Sequence, residues 1–277
     1  MTHSSDKGLA LARIAAALER IAPPAPPAVD WQASPAYVWD RGGPRAIPVL
    51  AAPALDLLRG IDAQKDLVVT NIARHAAGHA AHDMLLWGSR GMGKSALLRA
   101  GVAAAQAGVG PIALVQIAPD ALSGLTALFG ILAAQSRPYL VYIDDLGFED
   151  GDSSGPRQLR SWLEGGVEAR PGNVRLAVTA NRRAIVSRHL SEQDDPINPR
   201  DVVDDRLALA DRFGLSVGFH ACSQDDYLTI IAGYAQAHGL EFEEADALEW
   251  SKRRGARSGR VAWQYVNELA GRAARSL

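Results

Sequence analysis

Along most of the chain, apolar residues follow two patterns: short runs rich in branched and aromatic side chains, and longer stretches with apolar positions three and four apart. The short runs "MLLW", "IALVQI", "YLVYID" and "VRLAVTAN" have the length and composition of buried strands. Between them "KSALLRAGVAAAQAG", closed by Gly108, "LSGLTALFGILAAQ" and "PRQLRSWLEGGV" predict helices. Strands that alternate with helices predict a mainly parallel α/β sheet, because parallel neighbours need a crossover and a helix is its usual form.

The flanks follow other patterns. Leu9, Leu11, Ile14, Leu18 and Ile21 recur at helical spacing, so residues 1–22 hold an amphipathic helix over 7–22, which "APPAPPA" stops. Residues 23–50 then read as a Pro-rich linker and extended lead-in containing Trp31, Tyr37, Trp39, Pro44 and Pro48. In "ALDLLRGIDAQKDLVVTNIARHAAG", Leu57, Leu58, Ile61, Leu67, Val68 and Ile72 predict another helix. After about residue 222 the β-rich runs stop, and "QDDYLTIIAGYAQAHGL", "EADALEWSKRRGA" and "SGRVAWQYVNELAGRAARSL" predict three helices. The expected division beyond the linker is an α/β domain over 51–221 and a helical subdomain over 222–277.

Composition narrows the class. With 277 residues, 48% of them hydrophobic, the chain can bury a full globular core. A formal net charge of -2 gives no general attraction to nucleic acid or an anionic membrane. The arginines of "RHAAGHAAH" and "SKRRGARSGR" leave a local nucleic-acid contact open, without any recognisable binding module. Cys222 is the sole cysteine, which excludes an intrachain disulfide and a cysteine-based zinc site and fits a reducing cytoplasm. Arg13, Glu19 and Arg20 interrupt the N-terminal apolar stretch, so it lacks a signal-peptide core, and no segment approaches the roughly 18 to 20 uncharged apolar residues that span a bilayer. His75, His79 and His82 lie on a polar connection and read as solvated histidines rather than metal ligands.

The chemistry concentrates after the first strand. Gly88, Ser89, Arg90, Gly91, Met92, Gly93, Lys94 and Ser95 spell GxxxxGKS between a strand and a helix that begins with Lys94, Ser95 and Ala96. Glycines there let backbone N–H groups turn inward around phosphate oxygens, and the helix N-terminus favours the anion. Lys94 can reach the β- and γ-phosphates, and Ser95 can ligate Mg²⁺. "YLVYIDDL" places Asp144 and Asp145 at the end of a buried strand, where open α/β sheets gather their ligands: Asp144 to hold Mg²⁺, Asp145 to orient the attacking water. "VRLAVTAN" ends in Thr179 and Asn181, polar groups at the same edge that can reach the γ-phosphate or the water.

In this order the motifs resemble the AAA+ ATPases of the P-loop NTPase superfamily: Walker A at Gly88–Ser95, Walker B at Ile143–Asp145, and sensor 1 at Asn181. The resemblance runs over about residues 50 to 275. It implies a three-layer α/β/α domain with a mainly parallel sheet, a small C-terminal helical lid, ATP and Mg²⁺ as ligands, and hydrolysis in a homo-oligomer. "DRFG" resembles the arginine-finger box of the Holliday-junction branch-migration motor and related helicases, which makes Arg212 the candidate finger, with Arg206 and Arg170 as lesser alternatives. "GARSGRVAWQYV" resembles the sensor 2 helix, so Arg260, or else Arg257, is the lid arginine. The same likeness puts Ile61 and Asp62 near the adenine. In finer detail, "LLWGSRGMGKSALLRA", "DDLGFEDGD", "LEGGVEARPGNVRLAVTANRR" and "LADRFGLSVGFH" are similar to the bacterial AAA+ family known as domain of unknown function 815.

One departure from the broad pattern is aspartate, not glutamate, after the Walker B aspartate. The implied activity is ATP hydrolysis that remodels, loads or regulates a macromolecular partner, for which an unidentified protein is a candidate. An ATP-dependent switch with little hydrolysis is the alternative, and a small-molecule phosphotransferase is disfavoured because it leaves Asn181, Arg212 and the lid without a purpose. "HLSEQDDPINPRDVVDDRLALADRF" is expected to form a subunit-contact loop.

Overall fold

The apolar runs read from the sequence form the middle of one sheet. The structure, a computed structural model, describes residues 29–146, 171–181 and 212–277 and, singly, Arg13 and Leu163. Met1–Asp30 and Trp31–Leu277 are separate compact units, and the sheet with its helices belongs to the second. Apart from single positions, the helices predicted over 7–22 and in "PRQLRSWLEGGV" lie outside the described residues, as does nearly all of the predicted contact loop with Arg206; Arg170 lies outside them too.

The strands are β1 (Ala36–Asp40), β2 (Gly43–Ile47), β3 (Met84–Gly88), β4 (Ala113–Ile117), β5 (Tyr139–Ile143), β6 (Val174–Asn181) and β7 (Leu215–Phe219). They form one sheet in the order β2-β1-β4-β5-β6-β3-β7, in which β1 and β2 are antiparallel and every other neighbouring pair is parallel. The central strands are buried on both sides, as parallel strands covered by helices must be.

Two strands depart from the sequence expectation. The lead-in over 23–50 is no mere linker from Ala36 onward: β1 and β2 extend the sheet, and β1 pairs with β4 from Ala36↔Leu114 to Trp39↔Ile117. Buried Arg137 ties this segment down by donating to the carbonyls of Trp31, Gln32 and Ser34 as well as to those of Pro111 and Ile112. The second is β7, which lies at the other edge beside β3.

The helices are α1 (Asp62–Ala76), α2 (Lys94–Gly108), α3 (Leu125–Ala133), α4 (Gln224–His238), α5 (Glu244–Arg253) and α6 (Gly259–Arg272). The helix predicted through Leu57 and Ile61 is broken: a 3-10 turn at Leu55–Leu57 precedes Gly60, whose φ of 74° is left-handed, and α1 starts afterward. Helices α1 and α2 share one core with Leu86, Leu140, Tyr142 and Ala177 of the sheet. Gly101 of α2 lets the two helices approach, since a Cβ there would sit 2.8 Å from Ile72 Cδ1. The apolar residues of α3 (Leu125, Leu128, Phe129 and Leu132) are buried outside that cluster, where α3 packs against β6.

The three C-terminal helices form as the pattern predicts. Ser223 and Asp226 make a capping box at the start of α4, and Gly239 ends it in the left-handed region. Tyr227, Ile231, Ala247, Tyr265 and Val266 bury the faces of α4, α5 and α6 against one another.

Candidate functional site

At the carboxyl end of β3 the chain turns sharply because glycine permits it. Gly88 has φ 129°, and a Cβ there would collide with the carbonyl oxygen of Phe219 on β7. The next N–H, from Ser89, donates to that same carbonyl at 2.9 Å. Gly93 is left-handed at φ 85° and forms the N-cap of α2 with no capping side chain, so the first N–H groups of the helix face the loop. Lys94 is buried; its Nζ donates to the carbonyls of Gly88 and Ser89 at 3.0 and 2.8 Å. Burial lowers its pKa, and the carboxylates of Asp145 and Asp144 oppose that shift.

Strand register supplies the acidic groups. Pairing of Ile143 with Val178 carries on to set Asp144 beside Thr179. Asp144 Oδ1 accepts from Ser95 Oγ and from Thr179 Oγ1, each at 2.8 Å. Burial disfavours the charged form, but the neighbouring hydroxyls of Tyr142, Thr179 and Ser95 outweigh it and hold the carboxyl below its usual range. The Tyr142 hydroxyl acts there as a nearby dipole, without a hydrogen bond of normal geometry. Its own pKa is raised, first by burial and then by Asp144, so it stays protonated.

Asp145 has the unusual φ of 49°. Its backbone N–H donates to Thr179 Oγ1 at 2.8 Å, its carboxylate accepts from Asn181 Nδ2, and Arg90 lies 4.0 Å away. Thr179 thus joins both aspartates through one hydroxyl.

The two arginines named for the lid stand in different places. Ser258 caps α6 through Val261 N, and the following Arg260 N–H donates to Gly91 O at 3.1 Å. A Cβ on Gly91, whose φ is 75°, would meet Ser258 Oγ at 2.8 Å. Arg260 therefore sits on the loop and lines its cavity, whereas Arg257 points toward Gln224.

That cavity, of about 890 Å³, brings together Arg90, Gly91, Met92, Gly93, Lys94, Ser95 and Ala96 with Asp144, Asp145, Thr179, Asn181, Ile61 and Arg260. Its apolar lining includes Leu57, Leu58 and Ile61 together with Ile230, Tyr234 and Trp263. Sequence reasoning passed over Tyr234 and Trp263, whose rings are 4.9 Å apart; both sit at core-like spacing on their helices. Arg59 and Arg99 also line the cavity and were not singled out. Asp62 pairs instead with Lys65 at 2.8 Å.

Arg212 is not brought to this cavity. It lies just before β7, whose Leu215 N–H donates to Asp83 O at the opposite end of the strands. His75 also corrects its reading: it is buried, 3% exposed, with Nε2 2.9 Å from Tyr139 O, and burial lowers its pKa. Among the described residues no group of His, Cys, Asp and Glu could hold a metal ion by itself. Ser95 and Asp144 nevertheless offer the oxygen-only donors that suit Mg²⁺ when phosphate oxygens and water complete its shell. Among the described residues no helix is long and apolar enough to cross a membrane.

The sheet, the loop and the C-terminal helices make a fold of the AAA+ P-loop type, and the solved structures that match share that fold. The Holliday junction branch migration motor RuvB of Thermotoga maritima aligns over 82% of this chain and 68% of its own, at 19% identity and a TM-score of 0.51. Another structure of Thermotoga maritima RuvB reaches a TM-score of 0.53 at the same identity, over 82% of this chain and 68% of its own. A closed-state cryo-EM reconstruction of Hsp104 with ATPγS and FITC casein aligns over 79% of this chain and 39% of its own, at 15% identity and a TM-score of 0.51. Within that fold type, the chain belongs to the family described as protein of unknown function (DUF815), whose model matches residues 32–273. No curated protein matches the sequence.

Proposed function

We propose that the protein is a cytoplasmic ATPase that binds ATP with Mg²⁺, cleaves the β-γ phosphoanhydride bond within a homo-oligomer, and uses the cycle to remodel, load or regulate a macromolecular partner. The observation that carries the reading is the meeting of Lys94, Ser95, Asp144, Asp145 and Asn181 at one loop and one sheet edge. The loop N–H groups and Lys94 hold the phosphates, and the apolar wall with Ile61 takes the base. Ser95 and Asp144 hold Mg²⁺, which supplies positive charge to the phosphate oxygens. Asp145, steadied by Asn181, orients the attacking water; Arg260 reaches the nucleotide from α6, with residues 222–277 acting as a lid. Arg212 serves the γ-phosphate of a neighbouring subunit, consistent with its place away from its own cavity. The macromolecular part of the reading leans on the neighbours, one a junction motor and the other solved with casein; a protein partner is favoured, and a nucleic acid has no motif in its support.

A switch with little intrinsic turnover is the second reading, supported by the Asp145 carboxylate being engaged by Asn181 and flanked by Arg90. Phosphate release by the full chain, measured across protein concentration beside Asp145→Asn, separates the two. Hydrolysis predicts a rate per subunit that climbs as the protein assembles and falls on the order of 10²- to 10⁴-fold in the variant. ATP binding without turnover at any concentration selects the switch.

A further inference from the structure

Tyr142 belongs to a strand in which every residue is buried, and alternation along β5 puts its side chain on the face that also carries Leu140 and Asp144. It is 1% exposed and stands opposite Ala177 of β6. The sequence pattern accounts for it as one more apolar strand residue. Its hydroxyl tells otherwise: it is fully enclosed and, among the described residues, makes no hydrogen bond of normal geometry, though it lies near enough to Asp144 to act on that carboxyl. A buried unpaired hydroxyl opposes folding, and phenylalanine would fill the same space without that cost. Packing alone gives no reason for tyrosine here.

The neighbouring hydroxyls supply a reason. Ser95 and Thr179 both donate to the same oxygen of Asp144. A serine hydroxyl can bind a divalent cation through a lone pair and keep its proton on Asp144. Ser95 and Thr179 hold only one carboxylate oxygen, however, and drawing Ser95 and Asp144 onto one cation shifts the carboxylate against those two donors. The enclosed phenol on the same strand face is placed to hold the carboxylate through that shift.

We propose that Tyr142 is a positioning residue of the cation site, its hydroxyl donating to the Asp144 carboxylate, or to a water on it, when Ser95 and Asp144 take up Mg²⁺. This rests on the ATP and Mg²⁺ reading above. It gives Tyr142 a full hydrogen-bond partner in the loaded site, where in the fold alone the hydroxyl acts on Asp144 only as a nearby dipole.

The test is Tyr142→Phe in the full chain, read by thermal unfolding and by Mg²⁺ titration of the binding of a fluorescent ATP analogue. The expected result is a melting temperature equal to or above wild type, analogue affinity in EDTA unchanged, and a half-saturating Mg²⁺ concentration raised about tenfold. An unshifted Mg²⁺ dependence overturns the proposal, and so does a lower melting temperature with analogue affinity reduced equally in EDTA and Mg²⁺, which marks a structural hydroxyl. A wild-type protein that binds no analogue, or binds it without regard to Mg²⁺, overturns the parent reading and this proposal with it; Mg²⁺-dependent wild-type binding with an unshifted variant overturns this one alone.

Discussion

At the carboxyl ends of β3, β5 and β6 the chain gathers Lys94, Ser95, Asp144 and Asn181 around one cavity, whereas Arg212 stands before the amino end of β7 on the same sheet. The strands between are five residues long in β3 and β7. At about 3.3 Å per residue, on the order of 15 Å of sheet separates the two groups. Convergence within one chain is enough for phosphate and cation ligands, whose side chains hang from adjacent strand ends. An arginine at the other end can serve a γ-phosphate only if a second copy brings its own cavity there, so the comparison separates a binding function from one that needs assembly.

The largest expected effects test that separation directly. Lys94→Ala should remove phosphate release by at least about 100-fold and weaken nucleotide binding, because a buried ammonium at the loop is lost. Arg212→Ala should leave binding near wild type while turnover falls on the order of 10³-fold. A mixture of the two variants should regain part of the lost rate, since one supplies an intact cavity and the other an intact arginine. Equal loss of nucleotide affinity in both variants, read by a fluorescent analogue, would break the comparison.

A middle-sized effect concerns the contact between the loop and α6. Gly91 is left-handed, and its carbonyl accepts from Arg260 N–H while its Cα faces Ser258. In Gly91→Ala the new methyl must adopt a strained backbone and displace the α6 cap, at a cost of about 1–3 kcal/mol. Denaturant unfolding should show that loss, and nucleotide affinity should fall about tenfold. Unchanged affinity in a destabilised variant would mean that the loop binds phosphate independently of α6.

How much could be read from the sequence depends on how the residues do their work. The turn at Gly88, Gly91 and Gly93 was legible because each is required by a left-handed or crowded backbone, and the place of Asp144 at a strand end because the apolar run stops there. The β1–β2 hairpin was hidden because Pro44 and Pro48 look like linker residues, and an edge strand tolerates proline that an inner strand does not. β7 was hidden by Gly218, which is glycine because Trp87 packs over it, with a ring carbon 3.0 Å from where a Cβ would lie. Tyr142, Tyr234 and Trp263 sit at positions that apolar residues also satisfy, so pattern alone could not tell a wall or a donor from core. His75 looked solvated because its tail of His79 and His82 is polar, yet the last turn of α1 carries it under Tyr139 O.

The smallest effect on function sharpens the comparison at the joint between sheet and C-terminal helices. Cys222 is buried there, between β7 and α4. Burial, and then the charge of Asp226, push its thiol up to about 11, with Arg257 acting the other way. A raised thiol pKa favours the neutral form, so at about pH 8 roughly one thiol in a thousand is thiolate, and the fraction grows about tenfold per pH unit until about 11. Iodoacetamide labelling followed by mass spectrometry should therefore be slower near pH 8 than for a thiol of ordinary pKa 9.0, by up to about a hundredfold from the thiolate fraction alone, and should climb through pH 8 to 10. Labelling at the rate of an exposed thiol near pH 8 would mean that the joint opens often, and that the helices carrying Arg260 swing on the sheet rather than riding with the loop.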